Sequence, residues 1–178
     1  MKFKTKDLVI IAMSVALIAI GAMIRIPSPV AGYFTLQLPF VILIAVLLGS
    51  KRACIATIVY AVGGLLGIPW FAAGGGIMYL FKPTFGFILS FILAAFVAGQ
   101  SKHVEAQWQK YGLTILGTVI VWVYGMLHYT FVLKVTSGTD LTYLAAVLGI
   151  LSPDFYTDII LTVVFTKIGK RIGQGVTV

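Results

Sequence analysis

A few polar side chains stand at the edges of otherwise apolar stretches, and their types suit the recognition of a small molecule. Asp158 lies near the start of a long apolar run. Pointing inward, its carboxylate accepts hydrogen bonds from ligand N–H groups, whereas pointing outward it is an ordinary solvated charge. Gln37 both donates and accepts. Arg25 and Lys82 are, with Lys134, the basic residues that could meet an anionic ligand near these edges.

Aromatic residues cluster in sequence around the same edges. Small rings are held in proteins by apolar and aromatic walls with a few polar groups that fix their orientation. The sequence therefore predicts a binding site for a small ring-containing molecule. The residues expected to form its walls are Trp70, Phe71, Tyr79 and Phe85.

Catalytic and metal-binding arrangements are missing from the sequence. The two histidines, His103 and His128, lie far apart and outside any ligand spacing, so they predict no metal site. Asp154 and Asp158 are spaced for one helix face, but no base or nucleophile accompanies them. We therefore expect no enzymatic activity, no bound metal and no cofactor.

The chain also lacks a recognisable source of energy. No G-x-x-x-x-G-K-S/T loop occurs, and Gly49-Ser50-Lys51 has no upstream glycine to cradle phosphate. The deep middle of the apolar runs holds no charged residue of the kind that ion relays use. This pattern is typical of a passive binder, a channel or one subunit of a larger machine.

Composition predicts a single membrane-embedded helical domain over residues 1–178. Of the 178 residues 60% are hydrophobic and only 10% are charged, against about 25% charged in soluble domains. Its single cysteine excludes an internal disulfide. A helix crosses the bilayer with about 20 apolar residues. Six segments qualify: Leu8–Ile24, Tyr33–Gly49, Ala53–Ile68, Pro83–Gly99, Leu113–Leu133 and Tyr143–Thr166, with a short connector over Gln100–Tyr111.

The distribution of basic residues predicts the orientation in the membrane. Positive charge near span ends is retained in the cytoplasm, so both termini are expected inside. Arg25, Lys82 and Lys134 then face out, and the net charge of +8 is a topology signal rather than a nucleic-acid footprint. We expect a bacterial cell membrane as the location. Ten of the thirteen basic residues fall inside: Lys2, Lys4, Lys6, Lys51, Arg52, Lys102, Lys110, Lys167, Lys170 and Arg171.

The first apolar segment is expected to be a retained helix with a small-residue stripe. Lys2, Lys4 and Lys6 precede it as they precede a signal peptide, but no convincing cleavage site follows. Ala12 and Ala16 are four residues apart, a spacing that lets two helices approach closely. The stripe serves either packing within the bundle or docking of a partner membrane subunit, and the missing energy source favours docking.

Four short motifs occur in this order along the chain: Thr35-Leu36-Gln37, Gly67-Ile68-Pro69-Trp70-Phe71-Ala72 followed by glycines 74 to 76, Pro83-Thr84-Phe85-Gly86-Phe87, and Pro153 with Asp158. Together they resemble the motifs of the biotin S-component family of energy-coupling-factor (ECF) transporters, commonly called BioY. The resemblance covers most of the chain and its six-span plan. It implies a substrate pocket open to the exterior under the loops between spans one and two and between three and four. It also implies that the first helix docks, through Ala12 and Ala16, onto a transmembrane T subunit carried by two ATPase subunits.

One departure from the family pattern concerns the ligand's carboxylate. The final motif of biotin-type members carries a lysine three residues after the aspartate, where this chain has Leu161. A buried anion without its cation is costly, so Lys82, or else Arg25, is expected to replace that lysine, unless the ligand differs. Lipoate, with a sulfur ring and a similar carboxylated tail, is the alternative ligand. A stand-alone channel or facilitator is the alternative from a different class.

Overall fold

The computed structural model describes residues 4–28, 32–138, 149 and 151–175. In this part of the chain, six α-helices joined by short connections make up most of the structure, as the sequence predicts. The helices are α1 (Thr5–Met23), α2 (Gln37–Leu48), α3 (Ser50–Leu65), α4 (Phe85–Gly99), α5 (Gln107–Ser137) and α6 (Pro153–Gly175).

A β-hairpin between α1 and α2 was not predicted. Strands β1 (Arg25–Ser28) and β2 (Gly32–Thr35) pair antiparallel. The predicted start of the second span at Tyr33 is therefore wrong: aromatic and β-branched residues favour strands, and Tyr33 to Thr35 pair with β1 instead of extending the helix. Pro27 is tolerated because both strands of a two-stranded ribbon are edges.

Helix α2 is too short to cross a bilayer by itself. Its 12 residues reach about 18 Å at 1.5 Å per residue, against a hydrocarbon core of about 30 Å. At its other end Gly49 alone joins α2 to α3, with a φ of 79° that favours glycine, and its N–H binds the Ala45 carbonyl.

The last two predicted spans have different boundaries in the structure. Helix α5 contains the whole predicted fifth span and begins at Gln107, so the predicted connector Gln100–Tyr111 is partly helical, with a 3-10 helix over Gln100–His103. Helix α6 begins at Pro153, a residue suited to the first helical position. The part of the predicted sixth span before it, residues 143–148 and 150, lies outside the described residues.

The described part of the chain contains three helices that are long and apolar enough to cross a membrane. They are Thr5–Met23, Phe85–His103 and Gln107–Thr136.

An ion pair joins the first turns of α1 and α3. The side chains of Arg52 and Asp7 lie 2.7 Å apart. This pair fixes the entry of α1 beside the turn at Gly49.

Helices α5 and α6 are joined through a line of threonine hydroxyls. The Oγ1 atoms of Thr118 and Thr162 lie 2.6 Å apart, and the Thr166 hydroxyl donates to Thr114 Oγ1 at 3.0 Å. All four residues are buried, at no more than 3% exposure. The four-residue spacing on both helices stacks these bonds one helical turn apart, which fixes the register of the antiparallel pair.

Candidate functional site

A cavity of about 210 Å³ opens at the end of the bundle that carries the hairpin. Four structural regions enclose it: the hairpin with the start of α2, the connection between α3 and α4, the facing middles of α4 and α5, and the start of α6. The short α2 places its first residues, Gln37 and Leu38, in the cavity wall. Aromatic side chains on that wall are Tyr33, Phe34, Tyr79, Phe87, Phe91 and Trp122.

Asp158 presents one free carboxylate oxygen at this cavity. The residue is only 7% exposed, and the indole N–H of Trp122 donates to its Oδ2 at 2.9 Å. The other oxygen, Oδ1, is buried and has no hydrogen-bond partner in the part of the protein described. A buried acceptor of this kind is costly until a donor reaches it. Because Asp158 lines the cavity, a ligand N–H group is suited to satisfy it.

Gln37 is held in place by a chain of hydrogen bonds. Its Nε2 donates to the Tyr60 hydroxyl at 2.6 Å, and its Oε1 accepts from Thr35 Oγ1 at 3.0 Å. The Tyr60 hydroxyl in turn donates to the Trp70 carbonyl at 3.0 Å, while the Trp70 indole donates to the Tyr60 carbonyl at 2.9 Å. The connection after α3 is thereby fixed to the wall of the cavity.

Three of the four predicted aromatic wall residues stand behind the cavity rather than on its surface. Trp70 stacks on Tyr60, with ring centroids 5.6 Å apart. Phe71 and Phe85 contact the ring of Tyr79, at centroid distances of 4.6 and 6.3 Å. Of the predicted four, only Tyr79 lines the cavity, and the others support it from behind.

Glycines on α3 explain this inward folding of the aromatic residues. Trp70 and Phe71 lie directly against the α-carbons of Gly63 and Gly64, where any side chain would occupy the space of the rings. Phe71 is consequently 1% exposed. The glycine pair lets the connection after α3 fold back onto the helix.

The two candidate cations sit at different places near the cavity. The Lys82 ammonium donates to the Ala73 carbonyl at 2.9 Å and lies 4.8 Å from the centre of the Tyr79 ring. Ala73 and Tyr79 line the cavity, so Lys82 is at its rim. Burial raises the pKa of the Tyr79 phenol, which keeps it a neutral hydroxyl beside that charge. Arg25 is exposed at the start of β1, opposite Thr35.

The structure thus brings together Asp158, Gln37 and Tyr79 among the predicted site residues, with Lys82 at the rim. Ala12 and Ala16, the predicted docking residues, do not line the cavity and lie on the exposed side of α1. The opposite side of α1 carries buried residues such as Ile18, so the alanine stripe does not pack inside the bundle.

Trp122 and Asp154 complete the site and were not predicted as binding residues. Trp122 lies in the middle of an apolar helix, and an indole N–H in such a place needs an acceptor, a signal that could have pointed to Asp158. Asp154 lines the cavity one helical turn before Asp158 and contacts the hydroxyl of Ser28 on the hairpin. This contact ties the hairpin to α6.

The fold and the site define a helical membrane protein with a cavity at one end of the bundle, which the hairpin borders and a buried carboxylate lines. A solved structure described as the S-component for biotin from an ECF-type ABC transporter shares this fold, with a TM-score of 0.68 over 95% of both chains at 21% identity. The predicted S-component fold is confirmed.

The sequence comparisons then give the family. The profile of the BioY family matches residues 1–177, and the chain belongs to this family, as predicted. Probable biotin transporter BioY of Lysinibacillus sphaericus is 44% identical over 121 residues, 66% of this chain but only 61% of that protein's length. Probable biotin transporter BioY of Pyrococcus horikoshii is 32% identical over 85% of this chain and 88% of that protein's length. Biotin transporter BioY2 of Lactococcus lactis subsp. cremoris is 30% identical over 95% of this chain and 91% of that protein's length.

Proposed function

We propose that this protein is the membrane-embedded S component of an ECF-type ABC transporter and that it captures biotin. Family membership and the biotin transporters among its relatives support this function. The observation that carries the choice of ligand is the unpartnered Oδ1 of Asp158, buried at the cavity beside Trp122.

Biotin fits the chemistry of the cavity. Its ureido ring has two N–H donors, one of which satisfies Asp158 Oδ1 with a charge-assisted hydrogen bond. The thiophane ring and the aliphatic chain pack against aromatic wall residues such as Phe87 and Phe91. The carboxylate extends to the rim, where Lys82 takes the role of the lysine that Leu161 replaces.

Lipoate is the weaker candidate for a physical reason. Its dithiolane ring has a carboxylated tail like that of biotin but no N–H group. Lipoate in this cavity would leave Asp158 Oδ1 without a donor, at a cost of about 1–3 kcal/mol or more for a charged group. The relatives named as biotin transporters favour the same choice.

The proposed assembly follows from the missing energy source. In this proposal the chain crosses the bacterial cell membrane six times with both termini in the cytoplasm, and it performs no reaction. A transmembrane T subunit and two ATPase subunits supply the energy. The exposed Ala12 and Ala16 on α1 provide the close approach that the T subunit needs.

Thermal unfolding of the detergent-purified protein tests the proposed ligand. At 100 times its dissociation constant, a ligand adds about 2.7 kcal/mol to the free energy of unfolding. Biotin is expected to raise the melting temperature by about 5 °C or more, and lipoate to raise it less. An unchanged melting temperature with biotin would contradict the proposal. Liposomes containing only this chain should show no biotin accumulation, and rapid passive flux would favour a channel instead.

A further inference from the structure

A second cavity, of about 450 Å³, lies at the opposite end of the bundle from the solute site. It is enclosed by the end of α2, the 3-10 helix Gln100–His103, the start of α5 and the last turns of α6. Nothing in the proposed solute-binding role uses this cavity. We propose that it is a binding site for the phosphate headgroup of an anionic phospholipid.

The charges at this cavity are of one sign. Lys102, Lys110 and Lys170 all line it, and among the residues that the structure describes no acidic side chain does so. None of the three forms an ion pair with a carboxylate in the part of the chain described. Lys110 and Lys170 are half-buried, which holds their charge near the cavity rather than in open solvent. An anion of the size of a phosphate group satisfies such a set of donors.

A buried hydroxyl at the cavity lacks a partner. Ser101 is 1% exposed, lines the cavity and has no hydrogen-bond partner for its Oγ in the described structure. Buried hydroxyls are normally paired, so an absent group is expected to accept from it. A phosphate oxygen is an acceptor of this kind and completes the site that the lysines begin.

The apolar part of the wall points to a lipid rather than to a free phosphate ion. Leu47 and Leu48 on α2 and Ile172 on α6 line the same cavity, and Ile172 is 45% exposed. A headgroup linked to acyl chains uses both the basic and the apolar surfaces. In the topology of the proposed function, on which this step rests, this end faces the cytoplasmic leaflet, where anionic lipids attract basic residues.

Native mass spectrometry of the detergent-purified protein tests the proposal with phosphatidylglycerol, phosphatidylcholine and inorganic phosphate as probes. Phosphatidylglycerol is expected to bind and phosphatidylcholine to bind at least tenfold more weakly. The double variant Lys110→Gln/Lys170→Gln should bind phosphatidylglycerol about thirtyfold more weakly, since each lysine contributes roughly a factor of five. Lys167→Gln, on the same helix but outside the cavity, is the matched control and should change binding less than twofold.

Ser101→Ala gives an independent variant that removes one hydroxyl without removing charge, and it should also weaken binding of phosphatidylglycerol. Equal binding of the two lipids, or equal effects of the double variant and Lys167→Gln, would overturn the proposal. Melting-temperature increases that are the same with inorganic phosphate and with phosphatidylglycerol would overturn its assignment to a lipid. Biotin binding measured on the same samples separates the two proposals, because the solute site is at the other end of the bundle.

Discussion

Replacing Asp158 with asparagine tests the proposed hydrogen bond to biotin with almost no change in side-chain size. The Trp122 N–H keeps the oxygen of the new side-chain amide as its acceptor, because the indole can only donate. The amide NH₂ then takes the place of the free Oδ1. A ligand N–H that met an acceptor in the native protein now meets a donor.

The expected loss of affinity is large. A hydrogen bond to a charged group contributes about 1.5–3 kcal/mol, so its loss weakens binding by roughly 10- to 150-fold. Calorimetric titration of the purified variant with biotin measures this change. Lipoate binding, which uses no N–H donor, should weaken much less.

Asp154→Asn is the matched control on the same helix. Asp154 also lines the cavity, but its Oδ2 contacts Ser28 and the residue is only partly buried, so a smaller loss of biotin affinity is expected. An Asp158→Asn protein that remains folded and binds biotin as tightly as the native protein would refute the assignment of Asp158. Equal losses in the two variants would refute the distinction between the two carboxylates.

Further predictions concern the rim, the fold and the docking helix. Lys82→Gln should weaken biotin by about tenfold but leave biotinamide, which lacks the carboxylate, nearly unchanged in a filter-binding assay, because only the charged tail needs the ammonium. Gly64→Ala should lower the free energy of unfolding by about 1–2 kcal/mol in thermal melts, because the new methyl group overlaps the buried Phe71 ring. Ala12→Trp/Ala16→Trp should abolish co-purification with a T subunit while biotin binding persists, because the bulky rings prevent close helix approach.

Each of these predictions has a control of its own. Arg25→Gln should not alter the preference for biotin over biotinamide. If Arg25→Gln abolishes this preference and Lys82→Gln does not, the cation that binds the carboxylate is Arg25. Gly112→Ala lies on α5 with open space around it, and it should be neutral or stabilising. Leu93→Trp, at an exposed position on α4, should leave co-purification with the T subunit unchanged. Unchanged co-purification of the Ala12→Trp/Ala16→Trp variant would contradict a docking role for these alanines.

Much of the helical plan could be predicted from the sequence because apolar run length determines which segments can cross a bilayer. The error at the second span has a local cause. Tyr33 and Phe34 are apolar and lie just before α2, so hydropathy alone does not separate strand from helix. The pairing with β1 that decides their conformation is a contact with another segment.

The polar part of the site could be predicted, because the type of each residue alone indicates what it can bind. Asp158 and Gln37 stand out as polar residues at the edges of apolar runs, and both line the cavity. Trp70 and Phe71 do not line the cavity, because Gly63 and Gly64 leave space on α3 in which their rings pack. That packing depends on the fold of the connection after α3, which sequence spacing does not reveal. Whether the predicted residues bind biotin stays a prediction.

The most direct test of the central claim is to identify the small molecule that co-purifies with the protein. The protein is produced in cells supplied with both biotin and lipoate, purified in detergent and denatured, and the released compound is analysed by mass spectrometry. We expect the mass of biotin, at close to one molecule per chain, and its loss from the Asp158→Asn variant. Release of lipoate, or of no carboxylated ring compound from folded protein, would contradict it.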